Sequence, residues 1–248
     1  MNYVLDKLLN NEHLTFQESY DFIYSIEEEL HPPEVISGIL MIIQLRGVQL
    51  KEMHGFRSAL LNLALPVELE SENAIDLCGT GGDGKNSFNI STTTALVLAA
   101  MGKKVIKHGN YGVSSLCGSS NVLEELGFVF TEDSGELQRQ LDERNICFLH
   151  APLFHPTMKK IAPIRRNLGV LTIFNSLGPL VNPSQPKYQL TGTYSLELAK
   201  VYQHLLRENR TNSRVVYGTE GFDELTLTDD TRVFGGKSEQ TLNAATFG

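Results

Sequence analysis

Residues 74–101, AIDLCGTGGDGKNSFNISTTTALVLAAM, contain a short apolar segment, a glycine-rich loop and a longer apolar segment with helical spacing. Residues 74–78 predict a buried β-strand, and residues 90–101 predict a helix. A strand that leads through a short glycine-rich loop into a helix is typical of the repeating unit of α/β proteins. This stretch therefore predicts an α/β fold with the loop at the carboxyl end of a strand.

The same alternation continues along the chain. We expect strands at residues 104–107, 128–130 and 146–150, and helices at residues 122–126 and 135–144. Strands that alternate with helices of this length form a mostly parallel central sheet with helices on both faces. Ligands bind at the carboxyl ends of the strands in such sheets, and we expect the functional site there.

The chain before this unit shows helical periodicity alone. Apolar residues recur at helical spacing in residues 5–9, 15–26, 34–46 and 50–62. Thr15 and Glu18 form the pattern of a capping box. We predict a small N-terminal helical domain, residues 1–70, and a larger α/β domain, residues 71–248. The helical domain carries no candidate catalytic group, and we interpret it as a packing unit and a dimer interface.

Charge and composition exclude several classes of protein. The 248 residues include 21 basic and 29 acidic side chains, and residues 1–75 hold 12 of the acidic but only 4 of the basic ones. An acidic first quarter argues against a nucleic-acid platform. No apolar run approaches the roughly 18 residues of a membrane helix, and no signal-peptide core is present. The three scattered cysteines argue against a disulfide framework and a zinc site, and we expect a cytoplasmic protein.

Two segments at strand ends carry the chemical signals. In residues 79–84, GTGGDG, the missing side chains would let the backbone approach a ligand, and hydroxyls then open the next helix. Residues 107–110, KHGN, add a lysine and are followed by Ser114-Ser115 and by residues 118–120. Taken alone, the first segment has the alternative interpretation of a plain turn, and His108 in the second has that of a structural histidine. Two such segments after successive strands favour an anion site.

Several motifs together resemble anthranilate phosphoribosyltransferases of tryptophan biosynthesis. They are DLCGTGGDGKNSFNIST, KHGN, GSSNVLEELG, HPTMKKIAPIRRNLGVLTIFNSLGPLVNP and FDEL. The resemblance implies a fold of the nucleoside phosphorylase and phosphoribosyltransferase type. It also implies transfer of the phosphoribosyl group of phosphoribosyl pyrophosphate (PRPP) to the amine of anthranilate, with two Mg²⁺ ions per site. A cytoplasmic homodimer formed by the helical domains is expected, without membrane or nucleic-acid partners.

The resemblance also implies roles for individual residues. PRPP would be bound by Gly79, Gly82, Asp83, Ser87, Asn89, Ser91, Thr92, Lys107 and Ser119. Anthranilate would be bound by Gly79, Asn110, Arg165, His108 and His155, with Arg165 on its carboxylate and residues 178–179 near the mouth of its tunnel. The metal would be bound by Ser91, Asp223 and Glu224, and no acid or base is assigned. Judged by local sequence alone, the two acids suit a solvated turn and Arg165 suits a solvated helix face.

Some residues depart from the family pattern. Tyr111 stands where an arginine commonly follows KHGN, Ser87 replaces a threonine, and Ser120-Asn121 replaces an Ala-Asp pair. We expect the loss of the arginine to weaken PRPP binding. The chain ends at Gly248, before the family's last strands and helices, and we expect an exposed sheet edge.

Two alternative functions remain open. A nucleoside phosphorylase-like enzyme would share the architecture and the phosphate loop, but Asp223-Glu224 and the HPTM…RRNLG segment argue against it. A non-catalytic relative would keep the fold as a binding module.

Overall fold

The computed structural model describes residues 3–70, 73–85, 87–112, 117–208, 212–236 and 238–246. Its first part is the predicted group of four helices: α1 (Tyr3–Leu9), α2 (Phe16–Glu27), α3 (Pro33–Arg46) and α4 (Leu50–Leu63). The predicted capping box is confirmed at α2, where the Glu18 amide donates to the Thr15 hydroxyl and the Thr15 amide donates to the Glu18 carboxylate. No helix in the described ranges is long and apolar enough to cross a membrane.

In the described residues, the second part is built around one seven-stranded sheet. Its strands are β1 (Ile75–Leu77), β2 (Val105–Gly109), β3 (Ile146–His150), β4 (Tyr188–Gly192), β5 (Asn212–Gly218), β6 (Thr231–Gly235) and β7 (Ser238–Leu242). The strands lie side by side in the order β3-β2-β1-β4-β5-β6-β7. Neighbouring strands from β3 to β5 in this order pair in parallel, whereas β6 pairs antiparallel with both β5 and β7. The predicted α/β fold with a mostly parallel sheet is confirmed.

Helices cover the sheet and connect its strands. They are α5 (Ile90–Ala100), α6 (Ser119–Glu125), α7 (Ser134–Arg144), α8 (Ala151–Phe154), α9 (Pro156–Leu168), α10 (Ile173–Leu177) and α11 (Leu196–Glu208). Short 3₁₀ turns lie at Gly178–Leu180 and Ala244–Thr246. The buried side chains of α2–α4 form one continuous core with those of α9–α11, so the helical part packs directly on the α/β part.

The predicted strand at residues 128–130 is wrong. These residues have no strand pairing. Phe128 and Phe130 pack edge to face at 5.3 Å, and Phe130 stacks on His150 at 4.5 Å, while Val129 between them is 82% exposed. The alternation of aromatic residues therefore reports side-chain packing beside β3 and does not report a backbone ladder. Strands β4–β7 were not predicted individually.

The fold brings the two glycine-rich segments together. The first follows β1 and the second follows β2, which pair in parallel. The amide of Thr80, in the first segment, donates to the carbonyl of Gly192 at the end of β4 at 3.0 Å. The carboxyl ends of three adjacent strands therefore form one surface, as expected for a ligand site in a parallel sheet.

Candidate active site

A cavity of about 320 Å³ lies at these carboxyl ends. All the predicted PRPP and metal residues line it, and so do all the predicted anthranilate residues except His155. The cavity is also lined by residues to which the sequence assigned no role, among them Met158, Phe174 and Asn175. Ser114 and Ser115 lie outside the described residues. Segments far apart in the chain, from residue 78 to residue 224, thus contribute to one cavity.

The first glycine-rich loop interlocks with Asp223. The amide of Gly81 donates to Asp223 Oδ2 at 2.7 Å, and a Cβ added to Gly79 would lie 2.8 Å from the same oxygen. Gly82 has a φ of +79°, which disfavours a side chain there. A Cβ added to Gly192 would lie only 1.5 Å from the Asp223 carbonyl oxygen. Glycine is therefore needed at positions 79 and 192 because Asp223 approaches so closely, and at position 82 because of its backbone conformation.

Three carboxylates share this end of the cavity. Burial and, after it, the negative charge of Asp83 together raise the pKa of Asp223 to about 6. Burial raises the pKa of Glu224 to about 8, and Asp223 contributes to that rise. Ionised carboxylates this close repel one another, and a bound cation would relieve the repulsion.

Oxygen ligands of this kind suit Mg²⁺, which retains water and substrate oxygens in its shell. Within the described residues no group of three His, Cys, Asp or Glu side chains is already arranged to hold a metal ion. A bound Mg²⁺ would therefore need further oxygens, and PRPP phosphates are suitable ligands.

Beside Glu224, which accepts the backbone amide of Ser91, the cavity also presents donors for an anion. Lys107 is only 2% exposed, and its Nζ donates to the Leu77 carbonyl and, at 3.4 Å, to the Ser91 hydroxyl. Ser91 and Thr92 lie in the first turn of α5, whose amides have no acceptor within the helix. The Thr92 hydroxyl is buried without a hydrogen-bond partner. This combination of a cation, hydroxyls and a helix N-terminus suits a phosphate group.

Asn89 ties the first loop to the second, and Ser119 closes the second loop on itself. The side-chain amide of Asn89 donates to the Gly118 carbonyl at 3.2 Å, and the Ser119 hydroxyl donates to the Asn110 carbonyl at 3.3 Å. Asn121 Oδ1 accepts the amides of Gly112 and Gly118 at 3.0 and 2.9 Å. The asparagine that replaces a family aspartate therefore still ties the two ends of this loop together.

Arg165 is a buried cation at the other end of the cavity. It belongs to α9, is 8% exposed, and its Nε has no hydrogen-bond partner. Among the described residues it forms no ion pair with a carboxylate. Burial lowers its pKa to about 10, so it remains charged at neutral pH. An unpaired buried guanidinium that lines a cavity favours binding of an anionic ligand, and a carboxylate matches its geometry.

The two predicted histidines differ in position. His108 lines the cavity, and its Nδ1 donates to the Gly178 carbonyl at 3.0 Å. His155 lies behind it, with the ring centroids 5.3 Å apart, and its Nε2 donates to the Val181 carbonyl at 2.8 Å. Burial lowers the pKa of His108 to about 3 and that of His155 to about 4. Both rings are therefore neutral at physiological pH.

Tyr111 lies at the lip of the cavity. It is 39% exposed, its hydroxyl donates to Glu124 Oε1 at 2.6 Å, and its ring meets His150 edge to face at 4.8 Å. Its amide donates to the side-chain oxygen of Asn110 at 2.7 Å. The chain thus presents a neutral phenol, held by α6, where the family pattern has a cation.

Comparison with known proteins gives the family. Residues 2–64 match the helical bundle domain of a glycosyl transferase family, and residues 71–248 match its a/b domain. The chain is 47% identical over 248 residues to the anthranilate phosphoribosyltransferase of Christiangramia forsetii and 48% identical to that of Flavobacterium psychrophilum. In both cases the match covers 100% of this chain and 75% of the relative.

Solved structures agree with this result. The anthranilate phosphoribosyltransferase of Thermus thermophilus superposes with a TM-score of 0.88 at 34% identity, over 99% of this chain and 74% of that one. The enzyme of Saccharomyces cerevisiae in complex with PRPP and Mg superposes with a TM-score of 0.89 at 28% identity, over 98% and 72%. The chain belongs to the anthranilate phosphoribosyltransferase family.

Proposed function

We propose that this protein transfers the phosphoribosyl group of PRPP to the amino group of anthranilate, giving N-(5-phosphoribosyl)anthranilate and pyrophosphate. The observation that carries the proposal is the pair of buried cations, Lys107 and Arg165, at different places in one cavity. Two anionic substrates, a polyphosphate and an aromatic carboxylate, use both.

The residues present divide the work of the reaction. The backbone of residues 79–83 and the first turn of α5 bind the phosphates, and Lys107 adds a charge-assisted hydrogen bond. Arg165 binds the anthranilate carboxylate and directs the amine toward C1 of the ribose. The amine nitrogen bonds to C1 as the C1–O bond breaks, the electrons of that bond leave with pyrophosphate, and the amine loses one proton. Positioning of this kind supplies on the order of 7–11 kcal/mol of the barrier reduction.

Mg²⁺ fits the acidic end of the cavity, where Asp223 and Glu224 would hold it and Ser91 would add a hydroxyl. When bound, the cation neutralises charge on the leaving pyrophosphate. The raised pKa values of the two carboxyls support this assignment, because neighbouring anions are costly to bury without a cation. Two ions per site and a homodimer formed by α1–α4 complete the proposal.

The test is the loss of anthranilate fluorescence on mixing the protein with PRPP and Mg²⁺. Loss that requires all three components, and that is strongly reduced in Asp223→Asn, supports the proposal. Phosphate-dependent release of a free base from a nucleoside would instead identify a nucleoside phosphorylase. PRPP binding by calorimetry without any turnover would identify a binding relative. Light scattering at several concentrations tests the dimer.

A further inference from the structure

Residues 178–182, GPLVN, form one wall of the cavity on the anthranilate side, and we refer to them as the acceptor wall. Gly178 and Pro179 line the cavity, while the next two residues, Leu180 and Val181, are buried. The wall is a 3₁₀ turn whose closing bond, from the Val181 amide to the Gly178 carbonyl, is long at 3.4 Å. Its own backbone therefore does little to determine its shape.

Five buried polar side chains from outside the wall hold it, one at each successive residue. His108 donates to the carbonyl of residue 178, Gln189 to that of 179, Arg57 to that of 180 and His155 to that of 181. The fifth, Asp76, accepts a hydrogen bond at 3.0 Å from the side chain of Asn182. These side chains come from α4, β1, β2, β4 and the start of α9. The position of the acceptor wall is thus set from several elements at once.

Arg57 is unusual within this group because it belongs to the helical part. It is 6% exposed, and its Nε donates to the Leu180 carbonyl at 3.0 Å across 123 residues of sequence. Among the residues that the structure describes it forms no ion pair with a carboxylate. Burying an arginine without a counter-ion is costly, and an apolar side chain would fill the same space more favourably. What arginine adds at this position is a donor aimed at the wall.

Gln189 holds the wall from the opposite side. It lies on β4 and is largely buried, and its Nε2 donates to the carbonyl of Pro179 and, at 2.8 Å, to the hydroxyl of Thr191. Pro179 is a cavity residue, so a shift of this carbonyl moves the surface that an aromatic ring would meet. Neither Gln189 nor Arg57 lines the cavity.

We propose that Arg57 and Gln189 are positioning residues for the anthranilate subsite, which they control by fixing the acceptor wall. The helical part thereby contributes to substrate binding through Arg57 as well as to packing. The proposed PRPP contacts lie on the loop after β1, the first turn of α5, Lys107 of β2 and Ser119 of α6, outside the acceptor wall. Loss of either donor should therefore affect anthranilate and leave PRPP unchanged. This inference rests on the proposed function.

Steady-state kinetics of Arg57→Met and Gln189→Met test the inference. Each variant keeps a side chain of similar length and removes the donor. We expect the KM for anthranilate to rise about tenfold, because a buried carbonyl is left without its partner. We expect the KM for PRPP to stay at the wild-type value. Arg57→Lys, which keeps a cationic donor of different shape, should recover part of the loss.

Arg46→Met is the matched control. Arg46 also lies in the helical part and forms an ion pair with the buried Glu52, and its side-chain hydrogen bonds are with residues of the helical part. It should lower the melting temperature and leave the KM for anthranilate unchanged. If Arg57→Met does not fold, Arg57→Lys and Gln189→Met decide the question.

The outcomes are distinguishable. A wild-type protein that does not consume anthranilate refutes the proposed function. An active wild type whose variants keep its KM for anthranilate refutes the inference alone. Equal effects on both substrates would also refute it, because they indicate a general structural role.

Discussion

Replacing Arg165 by methionine should stabilise the free protein and severely impair its use of anthranilate. Methionine keeps most of the apolar stem of arginine, which packs in α9, and removes the charge. Arg165 has no ion-pair partner among the described residues, and its ring contact is with Phe174 at 5.9 Å. The substitution therefore removes a buried charge and leaves no broken ion pair behind.

The structure gives the size of both effects. Burial lowers the pKa of Arg165 from 12.5 to about 10. At about 1.36 kcal/mol per pKa unit, keeping this group charged in the folded protein costs about 3 kcal/mol, which the variant recovers in part. Because this folded-state pKa lies below the unfolded one, the cost applies at every pH below about 10. Losing the hydrogen bonds of a charged group to substrate should lower kcat/KM for anthranilate by about 10- to 150-fold.

Two measurements on the same preparations check this prediction. Thermal unfolding gives the change in stability, and the decrease in anthranilate fluorescence at saturating PRPP gives kcat/KM. Arg166→Met is the control, because Arg166 is the next residue of the same helix and is exposed. It should change neither quantity. A destabilised Arg165→Met with wild-type kcat/KM would refute the reasoning, because Arg165 would then be a structural residue.

Four further substitutions have definite expected outcomes. Burial raises the pKa of Asp76 from 3.8 to about 6, so its contribution to stability is present below about pH 4 and is lost as the pH rises through about 6. Unfolding by denaturant at pH 4 and pH 7 should therefore show a smaller pH dependence in Asp76→Asn, and parallel curves would contradict this. Gly192→Ala places a Cβ 1.5 Å from the Asp223 carbonyl and should abolish turnover, whereas Gly38→Ala, with an ordinary contact at 3.7 Å, should stabilise the protein by about 0.5–1 kcal/mol in thermal unfolding. Active Gly192→Ala would show that the turn can shift freely. Tyr111→Arg adds a cation at the lip of the cavity and should lower the KM for PRPP by about fivefold at low salt, less at high salt; a KM independent of salt would argue against a charge effect.

The sequence predicts those helices and loops in which the local residue pattern matches the surface that the element buries in the folded protein. The four N-terminal helices have apolar stripes that pack into the common core, and their predicted bounds lie close to the observed ones. The sequence also predicts the glycine-rich loop after β1, because a run of residues without side chains indicates directly that the backbone can approach its neighbours closely. Residues 128–130 were mispredicted because aromatic packing beside β3 produces the same alternation as a strand.

The supporting residues of the cavity were harder to predict because they act at a distance in sequence. Asp76 interrupts an apolar strand, which was a usable signal of a buried polar network. Arg57 lies on the buried stripe of α4, between Phe56 and Leu60, which was also visible in the sequence. Nothing local shows that its partner is the carbonyl of Leu180, because only the packing of α4 on the α/β part brings them together.

The distribution of charge explains how an acidic protein can bind two anionic substrates. The net charge is −8, and long-range attraction therefore cannot assemble the complex. Lys107 and Arg165 instead lie in a cavity of low dielectric, where a direct contact is worth far more than at the surface. Asp223 and Glu224 oppose them from the same cavity and would repel a polyphosphate. A cation held by these carboxylates would remove that repulsion, and binding of PRPP and binding of the metal would then favour each other by the same free energy.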